Sequence, residues 1–152
     1  INGLMGTVAY GKVQYFRTPF RKHTHRSEFS VEGVTDLPRV DILYACVNTP
    51  ADLVDASVDR GAQGIVIAGN GNGNMNAEAV ERAAQAAKQG IVIVRSSRVP
   101  SGKISRNVEI DDDRLGFVAS DELNTPKARI MLMLALLKER SLEEIQQLYY
   151  DY

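Results

Sequence analysis

The sequence predicts an α/β fold in which helices cover a small parallel sheet. From Val40 onward, short apolar segments alternate with amphipathic helical segments, a pattern typical of parallel sheets. Most predicted helices begin at a recognisable capping sequence. A loop that alternates Gly and Asn, residues 69–74, joins one predicted strand directly to a helix. In an open parallel sheet such a loop lies at the carboxyl edge of the strands, where ligands bind.

The N-terminal segment is predicted to form a β-hairpin around a Gly11-Lys12 turn, because apolar residues alternate on both sides of it. Residues 18–39 are polar, show little periodicity, and are predicted to be a linker or an extended arm. A linker of ~20 residues is unusual inside one compact domain. We therefore assign residues 1–17 to the end of a preceding domain, residues 18–39 to an interdomain linker and residues 40–152 to one α/β domain.

The α/β domain is predicted to contain four strands, at residues 40–47, 64–68, 91–94 and 116–119. Thr49 and Pro50 suit the cap and the first position of the helix after the first strand. Residues 77–89 form the next helix, with small apolar residues on one face. Most of residues 95–115 are predicted to be loop.

The C-terminal part is predicted to be helical. Thr125 is expected to cap a helix in which residues 130–137 are apolar on every face. Such a helix must be covered on all sides, which in a domain this small implies another subunit or domain. Ser141 and Glu144 form a capping box that opens a last helix.

Composition argues against two classes of partner. The net charge of −1 and the pI near 6.2 provide no electrostatic basis for binding nucleic acid or an anionic membrane. The longest apolar run, residues 130–137, is too short to span a bilayer.

Cys46 lies in an apolar run and is predicted to be a buried thiol. The chain begins with Ile1 instead of Met, which indicates a processed product or a piece of a longer protein.

The Gly/Asn loop predicts a site for a polar small molecule. Gly and Asn adopt left-handed backbone readily, so their alternation allows a tight loop with amide side chains directed outward. A nucleotide site is disfavoured, because Asn74 occupies the position of the third glycine in the dinucleotide fingerprint. Two interpretations remain open: a structural turn with a capping Asn, or a ligand-binding loop that uses Asn72 or Asn74.

The acidic cluster at residues 109–113 lacks the spacing and the glycine of a calcium loop. Most such clusters are solvated surface. Glu109 differs from the others because it lies between Val108 and Ile110. An acid in that setting can be directed into a site, for instance towards an ammonium group.

No reaction centre is visible in the sequence. It contains neither a Gly-x-Ser-x-Gly elbow nor a Ser-x-x-Lys motif. His23 and His25 have the spacing to share a metal, but the basic residues beside them repel one. We predict a solvated or interface-lining basic arm there, and we predict no metal and no cofactor.

Several motifs, taken in order, resemble the C-terminal part of bacterial type II L-asparaginases, which are amidohydrolases of the asparaginase and glutaminase-asparaginase family. The motifs cover nearly the whole chain: Arg17-Thr18-Pro19, Arg21-Lys22-His23-Thr24, Leu37-Pro38, Gly71-Asn72-Gly73-Asn74, Arg95-Ser96-Ser97-Arg98-Val99-Pro100, Gly116-Phe117-Val118-Ala119 and Lys127-Ala128-Arg129. The resemblance implies a small parallel sheet with helices as the C-terminal domain, which agrees with the pattern above.

The resemblance also implies that this chain is about the last half of such an enzyme. In the family, the nucleophilic threonine lies in a Thr-Gly-Gly-Thr segment near the start of the protein, with a Thr-Asp pair and a Lys that also precede this region. The Thr-Gly-Gly-Thr segment does not occur here, so no catalytic residue is expected in this chain. The implied substrate is L-asparagine, hydrolysed to L-aspartate and ammonia, with L-glutamine as an alternative. A periplasmic homotetramer, built as a dimer of dimers, is also implied.

Substrate-binding residues are implied by position. Asn74 matches the residue that reaches into the active site of a neighbouring subunit, and Glu109 matches the acid that approaches the substrate's α-amino group. Asn72, in the same motif as Asn74, is expected to contribute to binding. In the family mechanism threonine attacks the side-chain amide carbon, so these residues position substrate without transferring protons. The alternative is a non-catalytic, regulatory α/β module that binds a small molecule through the same loop.

Overall fold

The computed structural model describes residues 4–152 and confirms the α/β prediction. Six strands and five helices are present in the described residues: β1 Gly6–Ala9, β2 Lys12–Tyr15, β3 Val40–Tyr44, α1 Asp52–Asp59, β4 Gly64–Gly69, α2 Ala77–Lys88, β5 Val92–Ser97, α3 Asp112–Leu115, β6 Phe117–Ala119, α4 Thr125–Ala135 and α5 Leu142–Asp151. Strands β3 to β6 form one parallel sheet in the order β3-β4-β5-β6. Strands β1 and β2 form a separate antiparallel hairpin.

Helices cover both faces of the parallel sheet. Alternate side chains of a strand point to opposite faces, and the two faces here contribute to two different cores. One core joins Val66, Val94 and Val118 to helices α4 and α5. The other joins Ile65, Ile93 and Phe117 to helices α1 and α2. The central strands are thus buried on both sides, which explains why they are apolar without alternation.

Two predicted helix caps are wrong: the cap of α1 lies two residues after the predicted one, and the cap of α4 lies one residue before it. Helix α1 begins at Asp52 because the Thr49 hydroxyl is engaged in a turn, accepting from Cys46 N at 2.7 Å and donating to Cys46 O at 2.8 Å. Helix α4 is capped by Asn124, and Thr125 instead donates to the Ser97 carbonyl at 3.0 Å. The predicted capping box at the start of α5 is confirmed.

The hairpin is confirmed, but its turn lies one residue earlier than predicted. Tyr10 and Gly11 are the central residues, with φ values of 50° and 72°. Two consecutive left-handed residues match the twist of a two-residue hairpin loop. Lys12 instead pairs with Ala9 in the ladder.

Residues 18–39 lie against helix α5 for part of their length instead of extending freely. The Lys22 ammonium is 2.5 Å from the Asp151 carboxylate. Hydrogen bonds from Lys22 and then from Gln147 lower the pKa of Asp151. Further along, the rings of Phe29 and Tyr152 lie with their centroids 5.2 Å apart.

Burial differs from the prediction at the sheet edge. Cys46 is exposed, so the prediction of a buried thiol is wrong. The apolar run that contains it belongs to the edge strand β3, which ends at Tyr44 and leaves Cys46 in a loop.

On α4, Leu132 is buried but Ile130 is 50% exposed, so part of this apolar helix is uncovered in the described chain. None of the helices within residues 4–152 has the length and apolar character needed to cross a bilayer.

Candidate functional site

The Gly/Asn loop follows β4 and is closed by main-chain hydrogen bonds. The N–H groups of Asn70 and Asn74 each lie 2.8 Å from the other residue's carbonyl oxygen. Gly71 and Gly73 adopt positive φ values of 53° and 82°, which glycine tolerates at little cost. Ser97, on the neighbouring strand β5, donates its hydroxyl to Gly71 O at 2.8 Å. The loop therefore closes without using its asparagine side chains.

The asparagine side chains of this segment have different partners. Asn76 caps helix α2 by accepting from Ala79 N at 2.8 Å. Asn72 accepts from Ser105 N at 2.7 Å and donates to Ser105 O at 3.5 Å. The half-buried Asn74 side chain makes no hydrogen bond to any residue of 4–152. Asn74, like the exposed Asn70 beside it, thus keeps both its donor and its acceptor for a ligand, whereas Asn72 and Asn76 do not.

Gly69 permits the closest approach within the loop. A Cβ atom there would lie 2.3 Å from the carbonyl carbon of Gly73, so the backbone would have to move. We expect Gly69→Ala to displace the loop and to lower the free energy of unfolding by about 3 kcal/mol, the upper end for overpacking. At Gly71, an added Cβ meets nothing within 4 Å. The control Gly71→Ala should therefore cost only the left-handed strain, about 1 kcal/mol. Equal urea midpoints for the two variants would refute this account.

A buried ion pair connects the Gly/Asn loop to the segment before α3. Arg95 donates from Nε and Nη2 to the two carboxylate oxygens of Asp112, at 2.6 and 2.7 Å. The two side chains are 1% and 0% exposed. The same guanidinium donates to Asn72 O at 2.5 Å and to Ser105 O at 3.1 Å. Asp112 in turn accepts from Asn107 N at 2.8 Å. One pair of side chains therefore binds the main chain of both segments.

Glu109 is the carboxylate of the acidic cluster that has no partner among the described residues. Its three neighbours are engaged by the start of α3, by Arg95 and by Arg106: Asp111, Asp112 and Asp113. Hydrogen bonds from Asn107 and then from Arg106 lower the pKa of Asp113. Glu109 is exposed and makes neither a hydrogen bond nor an ion pair within residues 4–152. Its carboxylate is therefore available to a cation.

Among the described residues, Asn74 and Glu109 border two separate depressions. Asn74 borders a depression of ≈220 Å³ together with Cys46, Asn70 and Arg98. Glu109 borders a shallow opening of ≈480 Å³ lined by residues 107–111 alone. The structure thus links the two segments through Asn72 and Arg95, but it does not enclose a ligand between their predicted site residues.

The buried ion pair was not predicted from the sequence. The third strand was predicted to span residues 91–94, which placed Arg95 at the start of a loop. Strand β5 instead continues to Ser97, and the Arg95 charge is balanced by an acid 17 residues later in the chain. The cluster of acids at residues 109–113 was the feature of the sequence that could have indicated a partner for a buried arginine.

The described residues contain no cluster of three or more side chains suited to hold a metal ion. His25 lies in a short 3₁₀ turn, Thr24–Arg26, and His23 immediately precedes this turn. Both side chains are exposed. Each ring contacts the hydroxyl of Thr24, at 3.1 and 3.4 Å. This agrees with a solvated basic segment.

Comparisons with known proteins agree with the fold and with the motifs. Residues 39–149 match the family described as the Glutaminase/Asparaginase C-terminal domain. The chain is 47% identical over 150 residues to a Haemophilus influenzae protein named "Probable L-asparaginase periplasmic", and 45% identical over 150 residues to L-asparaginase 2 of Escherichia coli. Both alignments cover 99% of this chain and 43% of the relative. The glutaminase-asparaginase of Acinetobacter glutaminasificans is 40% identical, over 99% of this chain and 46% of its own.

The chain thus spans less than half the length of these curated relatives. Over that span, the similarity and the parallel sheet with its N-terminal hairpin confirm the resemblance to the C-terminal part of type II asparaginases. The chain belongs to the glutaminase/asparaginase family, of which it is a C-terminal domain.

Proposed function

We propose that this chain completes the active site of an L-asparaginase that hydrolyses L-asparagine to L-aspartate and ammonia. The observation behind the proposal is the contrast among polar side chains in the two linked segments. Asn72 and the acids at 111–113 are engaged by the fold, whereas Asn74 and Glu109 have no partner among the described residues. These two residues match the family's substrate-binding positions in a neighbouring subunit.

The available groups suit the α-ammonium end of an amino-acid substrate. The Glu109 carboxylate pairs with the α-ammonium group, and the Asn74 amide supplies one donor and one acceptor beside it. The nucleophilic threonine, with its Thr-Asp pair and Lys, lies in the upstream half, and no cofactor is required. Because the Asn72 amide is bound to Ser105, we propose that Asn72 contributes to substrate binding by fixing the loop. L-Glutamine is an alternative substrate, as the names of some relatives suggest.

We further propose that the full-length protein is a periplasmic homotetramer, a dimer of dimers. The partly uncovered apolar helix α4, with Ile130 50% exposed, supports a surface that another chain or domain covers. Tyr44 on the edge strand β3 is 59% exposed and adds to the uncovered apolar surface. The name of the Haemophilus influenzae relative supports the periplasm.

The isolated 152-residue chain is predicted to be inactive. Its substrate-binding groups position the substrate, but the nucleophile that would attack it lies in the upstream half of the enzyme. Asparagine hydrolysis is measured with the chain alone and after the upstream half is supplied. We expect ammonia release only in the second case. Turnover by the chain alone, above that of a Glu109→Ala control, would falsify the proposal. Tight nucleotide binding by the chain alone in calorimetry would favour a regulatory module.

A further inference from the structure

The buried pair of Arg95 and Asp112 lies between the two segments that present Asn74 and Glu109. We propose that Arg95, Asp112 and Asn72 form a positioning unit that fixes these two segments relative to each other, so that Asn74 and Glu109 meet the substrate as one rigid element. This inference rests on the proposed function, and it concerns how that function depends on the interior of the domain.

The first argument is the number of main-chain groups that the pair contacts. Beyond the ion pair itself, the Arg95 guanidinium reaches the carbonyls of Asn72 and Ser105, and Asp112 reaches the N–H of Asn107. The Asn72 amide bridges directly to both main-chain groups of Ser105. The loop after β4 and the segment before α3 are therefore joined by a continuous hydrogen-bonded network.

The second argument is the short distance along the chain from the network to the proposed substrate contacts. Asn74 is two residues from Asn72, and Glu109 is two residues from Asn107. Neither Asn74 nor Glu109 has a side-chain partner of its own within residues 4–152. Their positions consequently depend on the main chain beside them, which the network fixes at both points.

The third argument is that an ion pair is a poor choice for stability alone. Replacing a buried ion pair by apolar residues of similar volume is often neutral or stabilising. The pair here is nearly fully buried, at 1% and 0% exposure, among strands otherwise filled by Val and Ile. A directional pair does one thing that an apolar contact does not: it imposes one geometry on three oriented main-chain groups, the carbonyls of Asn72 and Ser105 and the N–H of Asn107.

The test is a double-mutant cycle in the full-length enzyme with L-asparagine as substrate. The variants Asn72→Ala and Asp112→Asn are each made in the native background and in a Glu109→Ala background. Values of kcat and KM are determined separately, and thermal melting shows which variants are folded. Asn72→Ala leaves no buried charge unpaired, so it tests the network if Asp112→Asn does not fold.

We expect each network variant to lower kcat/KM about tenfold in the native background, on the scale of losing one hydrogen bond. In the Glu109→Ala background the same change should cost less than about threefold, because residues that act through one another are not additive. Asp55→Asn, in the exposed pair with Arg82, is the matched control and should change kcat/KM less than about twofold in both backgrounds.

Equal fold-losses in the two backgrounds, or full activity of a folded Asn72→Ala enzyme, would overturn the inference. A full-length Glu109→Ala enzyme with native kcat/KM would instead refute the proposed function itself. The two failures are therefore distinguishable within one set of variants.

Discussion

Replacing Asp112 by Ala is expected to lower the free energy of unfolding by about 3–5 kcal/mol, the usual cost of removing one partner from a buried ion pair. Arg95, which is 1% exposed in the native structure, would then lose the carboxylate that balances its charge. The Asn107 N–H would also lose its acceptor. The measurement is urea unfolding of the chain, followed by the shift in midpoint at constant slope.

The control for this effect is Asp55→Ala, which removes the carboxylate of the ion pair with Arg82. Both side chains of that pair are more than 40% exposed. Exposed pairs contribute about 0–1 kcal/mol, so the control should unfold near the native midpoint. If the two variants unfold at the same urea concentration, the buried pair is not the central connection that the structure indicates.

Replacing Glu109 by Ala in the full-length enzyme is expected to reduce kcat/KM by roughly 1.5–3 kcal/mol of transition-state stabilisation, about ten- to 150-fold. The reason is the loss of a charge-assisted contact with the α-ammonium group of the substrate. The folded state should be little affected, because Glu109 is exposed and has no partner within residues 4–152. Steady-state kinetics with L-asparagine provide the measurement.

Two further variants define what Glu109 contributes. Glu109→Gln keeps the shape but removes the charge, so it should lose most of the activity that Glu109→Ala loses. Glu81→Ala removes an exposed carboxylate from helix α2, and it should stay within about twofold of the native value. Full activity of Glu109→Gln would show that an ammonium contact is not the role of this side chain.

The sheet was predictable because strands β4 to β6 are buried on both faces, so that much of their sequence appears as apolar runs. The helices α2 and α5 were predictable because Asn76 and Ser141 cap them by local contacts. Burial of Cys46 was predicted wrongly because an apolar run does not distinguish an edge strand from a central one. That difference depends on strand order, which is a property of the whole sheet.

For the site, local sequence pattern indicated Glu109 and either Asn72 or Asn74, and the family resemblance then favoured Asn74 and suggested what these residues bind. It was not predictable that the Asn72 side chain is engaged by the fold while that of Asn74 stays unpaired. This difference depends on Ser105, which is 33 positions from Asn72 along the chain. The same holds for Arg95, whose burial requires Asp112. Contacts of this kind join segments that are far apart in the chain, and the local sequence of one segment does not indicate its partner.

The central claim, that Asn74 and Glu109 serve the active site of a partner chain, is tested most directly by mixing two full-length chains that are each inactive or strongly impaired. One chain lacks the nucleophilic threonine of the upstream half, and the other carries Asn74→Ala together with Glu109→Ala. Refolding them together should restore about a quarter of the native specific activity, since random pairing makes half of the dimers hybrid and each hybrid has one intact site of two. A mixture no more active than the mean of its two parents would contradict the claim.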